Sequence, residues 1–380
     1  MLFIKNGHIR TMAGPDIENG CILLGDDGKI VSVGQDILPP EGAQVIDAQG
    51  RLVTPGCVEA HCHLGLSNPT PEAGDYNEKS DPITPQMRVI DGFNPYHEQL
   101  KVAMRSGITT VCTGPGSANI IGGTFGAFKT AGTRADDMVV KHPIAMKCAL
   151  GYNPKNVYGG MKKAPYTRMG TASLLRDFLN KCKKYLEDKE NGNEPAYDSK
   201  MEAMIPVLKK EIPLKAHAHR ADDIFTAIRI AKEFDLRITL DHCTEGHLIA
   251  DELAKEGFPA LVGPAFYVAK KSEVWNKSFV TPAVLHNAGV SVSIITDASV
   301  TPIQYLPLCA GLAVSEGLPL EEGWKAITIN PATHNGIANR VGSLEPGKDG
   351  DVVIWTADPL THIGGKAYTT IIDGKVHWQA

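Results

Sequence analysis

The sequence predicts a (β/α)₈ barrel that carries a small β-sandwich built from the two ends of the chain. The chain has 380 residues, 43% of them hydrophobic, which is enough to fill one barrel-sized core and leave a minor module over. Through the middle of the chain, apolar segments typical of strands alternate with helical patterns. Short strand-like segments separated by turn signals occupy both ends. We therefore assign residues 1–55 and 343–380 to a composite β-sandwich domain and residues 56–342 to the barrel.

The β-sandwich is predicted from its turns. The turn signals in the first segment are Gly7, Gly20, Asp26-Asp27-Gly28 and Gly34. The closing segment has a turn at 342–347, an apolar strand at 351–355 and a strand, turn and strand at 371–376. Both ends are expected to contribute strands to one sheet.

Eight strands are predicted for the barrel, which is the number that closes one. They are placed near 56–61, 108–113, 124–129, 143–149, 212–217, 237–242, 259–263 and 291–296. Because β/α units produce parallel sheets, each strand is expected to run parallel to its neighbours. The segment 165–210 is longer than one connection requires, and it is expected to form a helix packed outside the barrel. Its apolar stripe consists of Leu175, Phe178, Leu179, Cys182, Tyr185 and Leu186.

Charge and hydropathy exclude several functional classes. The net charge of −5 is spread along the chain, so we expect no attraction to nucleic acids or anionic membranes. No apolar run reaches the roughly 18 residues of a membrane span, and the first residues are too few for the apolar part of a signal peptide. The eight cysteines lack paired spacing and are expected to be reduced, buried thiols. These features predict a cytoplasmic protein.

The first candidate metal ligands are His61 and His63, at the end of the first barrel strand. Residues i and i+2 of a strand face the same side, so the two imidazoles can share one cation. Further histidines, His217, His219 and His242, end two later strands, and Asp297 ends the last. All of these side chains are expected at the carboxyl-terminal face of the barrel, where (β/α)₈-barrel enzymes have their active sites. Nitrogen and oxygen ligands of this kind suit zinc, with iron, manganese, nickel or cobalt as substitutes.

With these motifs in place, the chain resembles the amidohydrolase superfamily, in its imidazolonepropionase-related branch. The likeness covers the leading β-module, the segment Val53–His63, both histidine strands, Thr296-Asp297, Asn330-Pro331-Ala332 and the closing segment Gly342–Asp351. The resemblance implies that the metal ligands are His61, His63, His217, His242 and Asp297. It also implies that Asp297 takes a proton from the water that the metal activates, which agrees with the lowered pKa of such a water.

Two alternatives stay open within this site. His219 lies two residues after His217, so either histidine can be the ligand; related enzymes with the same His-Ala-His pattern use the first. His219 would then bind or polarise the substrate carbonyl. Lys147 occupies the position where many superfamily members carry a carboxylated lysine that bridges two metal ions, and its alternative is an ion-paired lysine. The resemblance therefore leaves one or two metal ions open, and His242 in a one-metal site would contact the substrate or the reacting water.

The predicted substrate contacts are Tyr152, Asn153 and Arg168. The long loop 64–95 follows the first strand and is expected to cover the pocket. A small-molecule substrate and a homo-oligomer are expected, with neither nucleic acid nor membrane as a partner.

The leading hypothesis is hydrolysis of a carbon–nitrogen bond in an amide, cyclic amide, or N-blocked amino acid or dipeptide. One alternative is deamination of a heterocyclic amine. Related deaminases usually carry a glutamate three residues after the fifth-strand histidine, whereas this chain has Arg220 after His217 and Asp222 after His219. Another is a non-catalytic, dihydropyrimidinase-like scaffold, but such proteins lose metal ligands and this chain retains them.

Overall fold

The computed structural model describes residues 1–67 and 74–380. These residues form sixteen strands. In chain order the strands are β1 Leu2–Ile9, β2 Ile17–Leu24, β3 Ile30–Gly34, β4 Gln44–Asp47, β5 Leu52–Pro55, β6 Cys57–Cys62, β7 Ile108–Thr113, β8 Ile121–Lys129, β9 Val139–Ala149, β10 Leu214–Ala218, β11 Ile238–His242, β12 Ala260–Val262, β13 Val292–Ile294, β14 Val352–Trp355, β15 Ala367–Ile372 and β16 Lys375–Gln379.

The described residues also form twelve α-helices and three short 3₁₀ helices. The α-helices are α1 Val89–Gly92, α2 Glu98–Arg105, α3 Ala135–Met138, α4 Tyr152–Gly160, α5 Arg168–Glu190, α6 Ser199–Leu208, α7 Ala221–Glu233, α8 Ala250–Glu256, α9 Thr281–Asn287, α10 Leu306–Ser315, α11 Leu320–Lys325 and α12 Ile329–His334. The 3₁₀ helices are Gly246–Leu248, Ser272–Val274 and Ile303–Tyr305. None of the helices in the described ranges is long and apolar enough to cross a membrane.

Strands from both ends of the chain share one sheet, as the sequence predicts. Its order is β16-β15-β14-β5-β1-β2-β3, and β4 pairs with β1 beside β5. The contact between β5 and β14 joins the two ends, with Val353 opposite Thr54. The packing of two sheets into a sandwich, and the domain limits given above, stay predictions.

The second sheet is the barrel, in the order β13-β12-β11-β10-β9-β8-β7-β6. All eight predicted strands are present. The segment that contains Ala326 and Ile327 lies between the first and last strands, because Val58 donates to Ile327 O (2.8 Å) and Ile294 donates to Ala326 O (2.9 Å). The sheet is therefore a nearly closed barrel.

The third barrel strand departs from the predicted parallel arrangement. β8 runs antiparallel to both β7 and β9. A parallel pair needs a crossover of about a dozen residues or more, usually a helix, whereas the connection 114–120 is short and contains no helix. The expectation that all eight strands are parallel is therefore wrong at this position.

The predicted outer helix is present as α5, which begins after Thr167, whose side chain accepts from Gly170 N (3.0 Å). Four residues of its apolar stripe are buried in the same core cluster as α7 and the strands β10 and β11: Leu175, Phe178, Leu179 and Cys182. All eight cysteines are free, and seven of them are buried. Cys62 and Cys243 lie in apolar packing beside the metal-ligand candidates.

The terminal sheet is tied to the barrel by a buried ion cluster. Lys129 Nζ, at the end of β8, lies 2.7 Å from Asp351, 2.9 Å from Asp349 and 3.1 Å from Asp373. Lys129 is opposite Thr110, near the start of β7, so this cluster lies away from the strand ends that carry the histidines.

Candidate metal centre

Six side chains converge at the carboxyl ends of the barrel strands. His61, His63 and Asp297 make a first cluster, and His217, His219 and His242 make a second cluster. Within each cluster the ring nitrogens or carboxylate oxygens lie within 4.8 Å of one another. The ring centres of His61 and His242 are 5.1 Å apart, so the two clusters adjoin. The structure therefore brings together the histidines and the aspartate that the sequence predicts as ligands or catalytic groups.

Outer hydrogen bonds orient most of these imidazoles. The Nδ1 partners are Gly114 O for His63 (2.8 Å), Gly263 O for His242 (2.8 Å), Thr244 Oγ1 for His219 (2.7 Å) and the Asp241 carboxylate for His61. A partner at Nδ1 fixes the ring and leaves Nε2 to face inward. The four histidines are thus preorganised for ligation through Nε2.

Several donor atoms in the two clusters are buried and lack a hydrogen-bond partner among the described residues. They are His217 Nδ1, His242 Nε2 and Asp297 Oδ1. Asp297 Oδ1 has only ionic contacts, 3.2 Å from His63 Nε2 and 3.9 Å from His61 Nε2. A buried polar atom without a partner costs free energy, about 1–3 kcal/mol each, unless another group takes its lone pair. Nitrogen and oxygen lone pairs that face one space fit a divalent cation such as zinc.

The imidazoles of His61, His217, His219 and His242 are held neutral, as metal ligands must be. Burial lowers the pKa of His217 and His219 well below the ordinary value, and the neighbouring His242 lowers both further. Burial also lowers the pKa of His242 to about 4. For His61, burial and the nearby charge of Lys147 lower the pKa well below its usual range.

Asp297 is held as a carboxylate. Burial alone would raise the pKa of Asp297, but the contact with His63 and the proximity of His242 and His61 lower it below the ordinary value. An ionised carboxylate within the first cluster can both bind a cation and accept a proton.

Lys147 lies beside the first cluster and is fully buried. Its Nζ is 3.0 Å from His61 Nε2 and 5.6 Å from the centre of the Phe125 ring. No carboxylate in the described ranges lies within ion-pair distance of Lys147, in contrast to the alternative of an ion-paired lysine. Burial lowers the pKa of Lys147 to about 8, and Lys215 lowers it further, while Asp241 and Asp297 oppose the shift.

A model described as the Amidohydrolase family matches residues 52–377 of the chain. The chain belongs to the amidohydrolase family. Among solved structures, an amidohydrolase from Thermotoga maritima MSB8 is 37% identical, with a TM-score of 0.96 and coverage of 100% of both chains. This likeness covers the barrel and the terminal sheet together.

Curated relatives include a protein named as an amidohydrolase and an imidazolonepropionase. Amidohydrolase tasK of Hapsidospora irregularis is 30% identical over 89% of this chain, and the chain spans 38% of the length of tasK. An imidazolonepropionase of Bacillus velezensis is 24% identical, with 89% of this chain and 83% of the relative covered. These findings confirm the amidohydrolase resemblance, and they support a hydrolase that acts on carbon–nitrogen bonds.

A cavity of about 850 Å³ opens above the two clusters of this amidohydrolase. Its wall includes His63, His217, His219 and Asp297, together with the predicted contacts Tyr152 and Asn153. From the loop 64–95, the residues Ser67, Tyr76, Asn77 and Lys79 also line it. The Tyr76 ring stacks on His63 with ring centres 5.5 Å apart. Residues 68–73 of the predicted cover lie outside the described residues.

Asn153 connects the cavity wall to the second cluster. Its Nδ2 lies 3.3 Å from His217 Nε2 and donates to Ser117 Oγ (2.7 Å), while its Oδ1 accepts from Lys271 (3.0 Å). Because Nε2 of His217 faces Asn153, the free nitrogen of this ring is Nδ1. His219 shares the cluster, so the choice between the two histidines as ligand stays a prediction.

Arg168 lies elsewhere. Among the described residues it lines a separate cavity of about 480 Å³ beside α5 and α7, and it does not line the cavity above the histidines. Its Nε donates to Asp223 (2.9 Å), a buried carboxylate, and its guanidinium lies 3.9 Å from Glu273. Glu273 in turn accepts from Tyr152 N (2.9 Å). The structure therefore connects Arg168 to the backbone of Tyr152 through the Glu273 carboxylate and does not place Arg168 in the wall of the larger cavity.

The sequence reasoning did not single out Glu59, which supports both ends of the first cluster. Its carboxylate accepts from His61 N (3.0 Å), Thr296 N (3.0 Å) and Thr296 Oγ1 (2.6 Å). Burial raises the pKa of Glu59 to about 7. A signal existed, because Glu59 precedes His61 by two residues and strand alternation places both on one face.

Asp241 and Lys215 were also missed, and both are fully buried. Lys215 precedes His217 by two residues, so its inward direction follows from strand alternation. Strict alternation would send Asp241 inward and the adjacent His242 outward. His242 instead has φ of 74°, in the left-handed region, and this turn allows both side chains to reach the site. Asp297 has the same feature, with φ of 50°.

Proposed function

We propose that this amidohydrolase uses a metal-activated water to hydrolyse a carbon–nitrogen bond of an amide, a cyclic amide, or an N-blocked amino acid or dipeptide. One or two divalent ions, zinc foremost, would be held by His61, His63, Lys147, His217, His242 and Asp297. The single observation that carries this proposal is the set of buried donor atoms of His217, His242 and Asp297, which lack a hydrogen-bond partner among the described residues and lie in the two adjoining clusters.

When bound, a divalent cation lowers the pKa of water to about 7 and polarises a carbonyl oxygen. Asp297 is the proposed base, because its ionised Oδ1 lies at the junction of the cavity and the first cluster. The same oxygen would later deliver the proton to the leaving nitrogen. His219, held at Nδ1 by Thr244, would bind or polarise the substrate carbonyl through Nε2, and His242 would contact the substrate if only one ion is present.

The cavity supports a small substrate, because its volume of about 850 Å³ lies in the usual range for small-molecule sites. We propose Tyr152 and Asn153 as substrate contacts, since both line this cavity. Arg168 would help to position Tyr152 through Glu273, outside the cavity wall. The expected homo-oligomer stays a prediction.

Deamination is less well supported by the geometry. The two positions at which a deaminase would carry its glutamate hold Arg220 and Asp222, whose side chains are 43% and 51% exposed and pair with each other at 2.8 Å. Neither residue lines the cavity above the histidines. An acid directed at a bound ring is therefore missing from these positions.

The proposal is tested with a panel of N-acyl amino acids, dipeptides, hydantoins and imidazolones, presented to protein loaded with zinc, manganese or cobalt. At least one member is expected to be hydrolysed, with activity lost on chelation and restored by metal. Asp297→Asn should lower kcat/KM about 10²–10⁴-fold, because it removes the base. Metal content, measured by mass spectrometry, separates loss of the base from loss of the ion.

Asp251→Asn, an exposed carboxylate on α8, is the matched control and should retain full activity. Wild-type protein that contains no metal when purified, and that takes up none when metal is added, would contradict the proposal. Full activity of Asp297→Asn with its metal in place would overturn the assignment of the base.

A further inference from the structure

Asp241 lies inside the barrel, on β11, and its side chain has no exposure to solvent. One carboxylate oxygen contacts His61 Nδ1 and lies 3.2 Å from Lys215 Nζ. The other oxygen accepts from Thr239 Oγ1 (2.5 Å). Lys215 also donates to Ala60 O (3.2 Å), on the strand that carries His61. Both carboxylate oxygens are therefore engaged, and the side chain is held from three directions.

These contacts decide which nitrogen of His61 carries the proton. A carboxylate that is paired with a lysine only accepts hydrogen bonds, so Nδ1 of His61 must donate to Asp241. The lone pair of the neutral ring is then at Nε2. This nitrogen lies 3.0 Å from Lys147 Nζ and 3.9 Å from Asp297 Oδ1, inside the first cluster. Asp241 thus directs the binding lone pair of His61 toward the proposed metal position.

His61 is the only ligand candidate in the described ranges whose outer nitrogen meets a charged group that is itself ion-paired. His63 and His242 donate to the backbone carbonyls of Gly114 and Gly263. A charge-assisted hydrogen bond is roughly twice as strong as a neutral one, and a carboxylate partner raises the basicity of a ligating imidazole. A buried carboxylate also needs a counter-charge, which Lys215 supplies.

We propose that Asp241, held in place by Lys215, is a positioning residue that presents Nε2 of His61 to the metal and thereby sets the affinity of the first cluster for its ion. The inference rests on the metal site of the proposed function. Neither residue lines the cavity in the described structure, so the pair would act through His61 and not on the substrate.

The test measures the affinity for cobalt(II) by competition with a chromophoric chelator, together with the visible absorption spectrum of the bound ion. Asp241→Asn and Lys215→Met are each expected to weaken binding about 10–100-fold and to change the spectrum, as loss of an outer partner of a ligand does. Thr239→Val should have a smaller effect in the same direction. Because Lys215 acts through Asp241, Lys215→Met should add little to Asp241→Asn in the double variant.

Matched controls come from the ion cluster at Lys129. Lys129→Met and Asp351→Asn remove the same kinds of buried charge away from the histidines, and they should lower the melting temperature while cobalt binds as in the wild type. If Asp241→Asn does not fold, ¹⁵N NMR of histidine-labelled wild-type apoprotein still reports the tautomer, which should be Nδ1–H at His61.

Two results would overturn the proposal while the metal centre stands: wild-type cobalt affinity in folded Asp241→Asn, or an Nε2–H tautomer at His61. Wild-type protein that binds no cobalt would instead overturn the metal centre, and the positioning pair with it.

Discussion

His61 and His242 have ring centres 5.1 Å apart, yet their outer nitrogens meet different partners. His61 contacts the Asp241 carboxylate, which Lys215 balances, and Lys147 lies beside its other nitrogen. His242 donates to the backbone carbonyl of Gly263. In the first cluster His61 thus has a buried, charged outer partner, whereas the outer partners of the second cluster are neutral.

The second cluster is also connected to a proposed substrate contact. Both His217 and His219 line the cavity, and Asn153 lies between His217 and Lys271. Charged partners hold a ligand more firmly than neutral ones. We therefore expect the first cluster to bind its ion more tightly than the second. We expect the second cluster to be the one whose geometry changes when substrate binds.

Lys147 is the group through which the two clusters would become one site. Among the replacements that compare the two clusters, that of Lys147 should have the largest effect. A carboxylated Lys147 would add a shared anionic ligand, so Lys147→Met is expected to reduce metal content from two ions per chain to a single one. Activity should fall on the order of 10²-fold, since a metal ion contributes several kcal/mol to the transition state. Metal analysis and steady-state kinetics measure both effects.

The same lysine predicts a pH dependence. The neutral amine of Lys147 is the form that reacts with carbon dioxide. Because the pKa of Lys147 is lowered from 10.5 to about 8, the neutral fraction becomes appreciable near neutral pH and grows as the pH rises. At pH 7 about a tenth of the lysine is then neutral. Uptake of the second ion by apoprotein should therefore require bicarbonate and accelerate from pH 6.5 to 8.5. Lys163→Met, at an exposed lysine, is the control; equal metal content in Lys147→Met and wild type would contradict the bridging role.

The difference between the two halves also explains what the sequence could predict. Ligand candidates such as His61 and His217 were found because they end apolar strands, and strand ends meet at one face of a barrel. The partnership of Asp241 with His61 depends on contacts between residues 180 positions apart in the chain, so it becomes visible only when the barrel is assembled. The left-handed turn at His242 also breaks the strand alternation from which the inward direction of Asp241 could have been predicted.

The fold shows the same limit. The apolar runs predict the existence of all eight barrel strands, because burial on both faces leaves a readable pattern. The direction of β8 is set instead by the short connection 114–120, a property of the loop and not of the strand. Arg168 was proposed as a substrate contact from its position in the chain alone, and its partner Asp223 on α7 could not be deduced from that position.

Separate replacements of His217 and His219 should give the next largest effect and decide which is the ligand. If His217 is the ligand, His217→Ala should lose metal from the second cluster, with affinity reduced by at least about 10–100-fold. His219→Ala should then retain its metal and lose activity mainly in kcat. Metal titration beside kinetics distinguishes the two variants. Metal loss in His219→Ala alone would reverse the assignment.

Thr244→Val should have the smallest effect, and it measures how much a neutral outer partner contributes. The hydroxyl of Thr244 contacts His219 Nδ1 at 2.7 Å, and valine keeps the shape while removing this hydrogen bond. A neutral hydrogen bond contributes about 0.5–1.5 kcal/mol, which corresponds to roughly a two- to twelvefold change in kcat/KM. Metal content should not change, in contrast to the losses expected for Asp241→Asn. Thr226→Val, at an exposed hydroxyl on α7, is the control. A loss of metal in Thr244→Val as large as that in Asp241→Asn would remove the distinction between charged and neutral outer partners. The outer partner of His219 would then contribute as much to metal binding as that of His61.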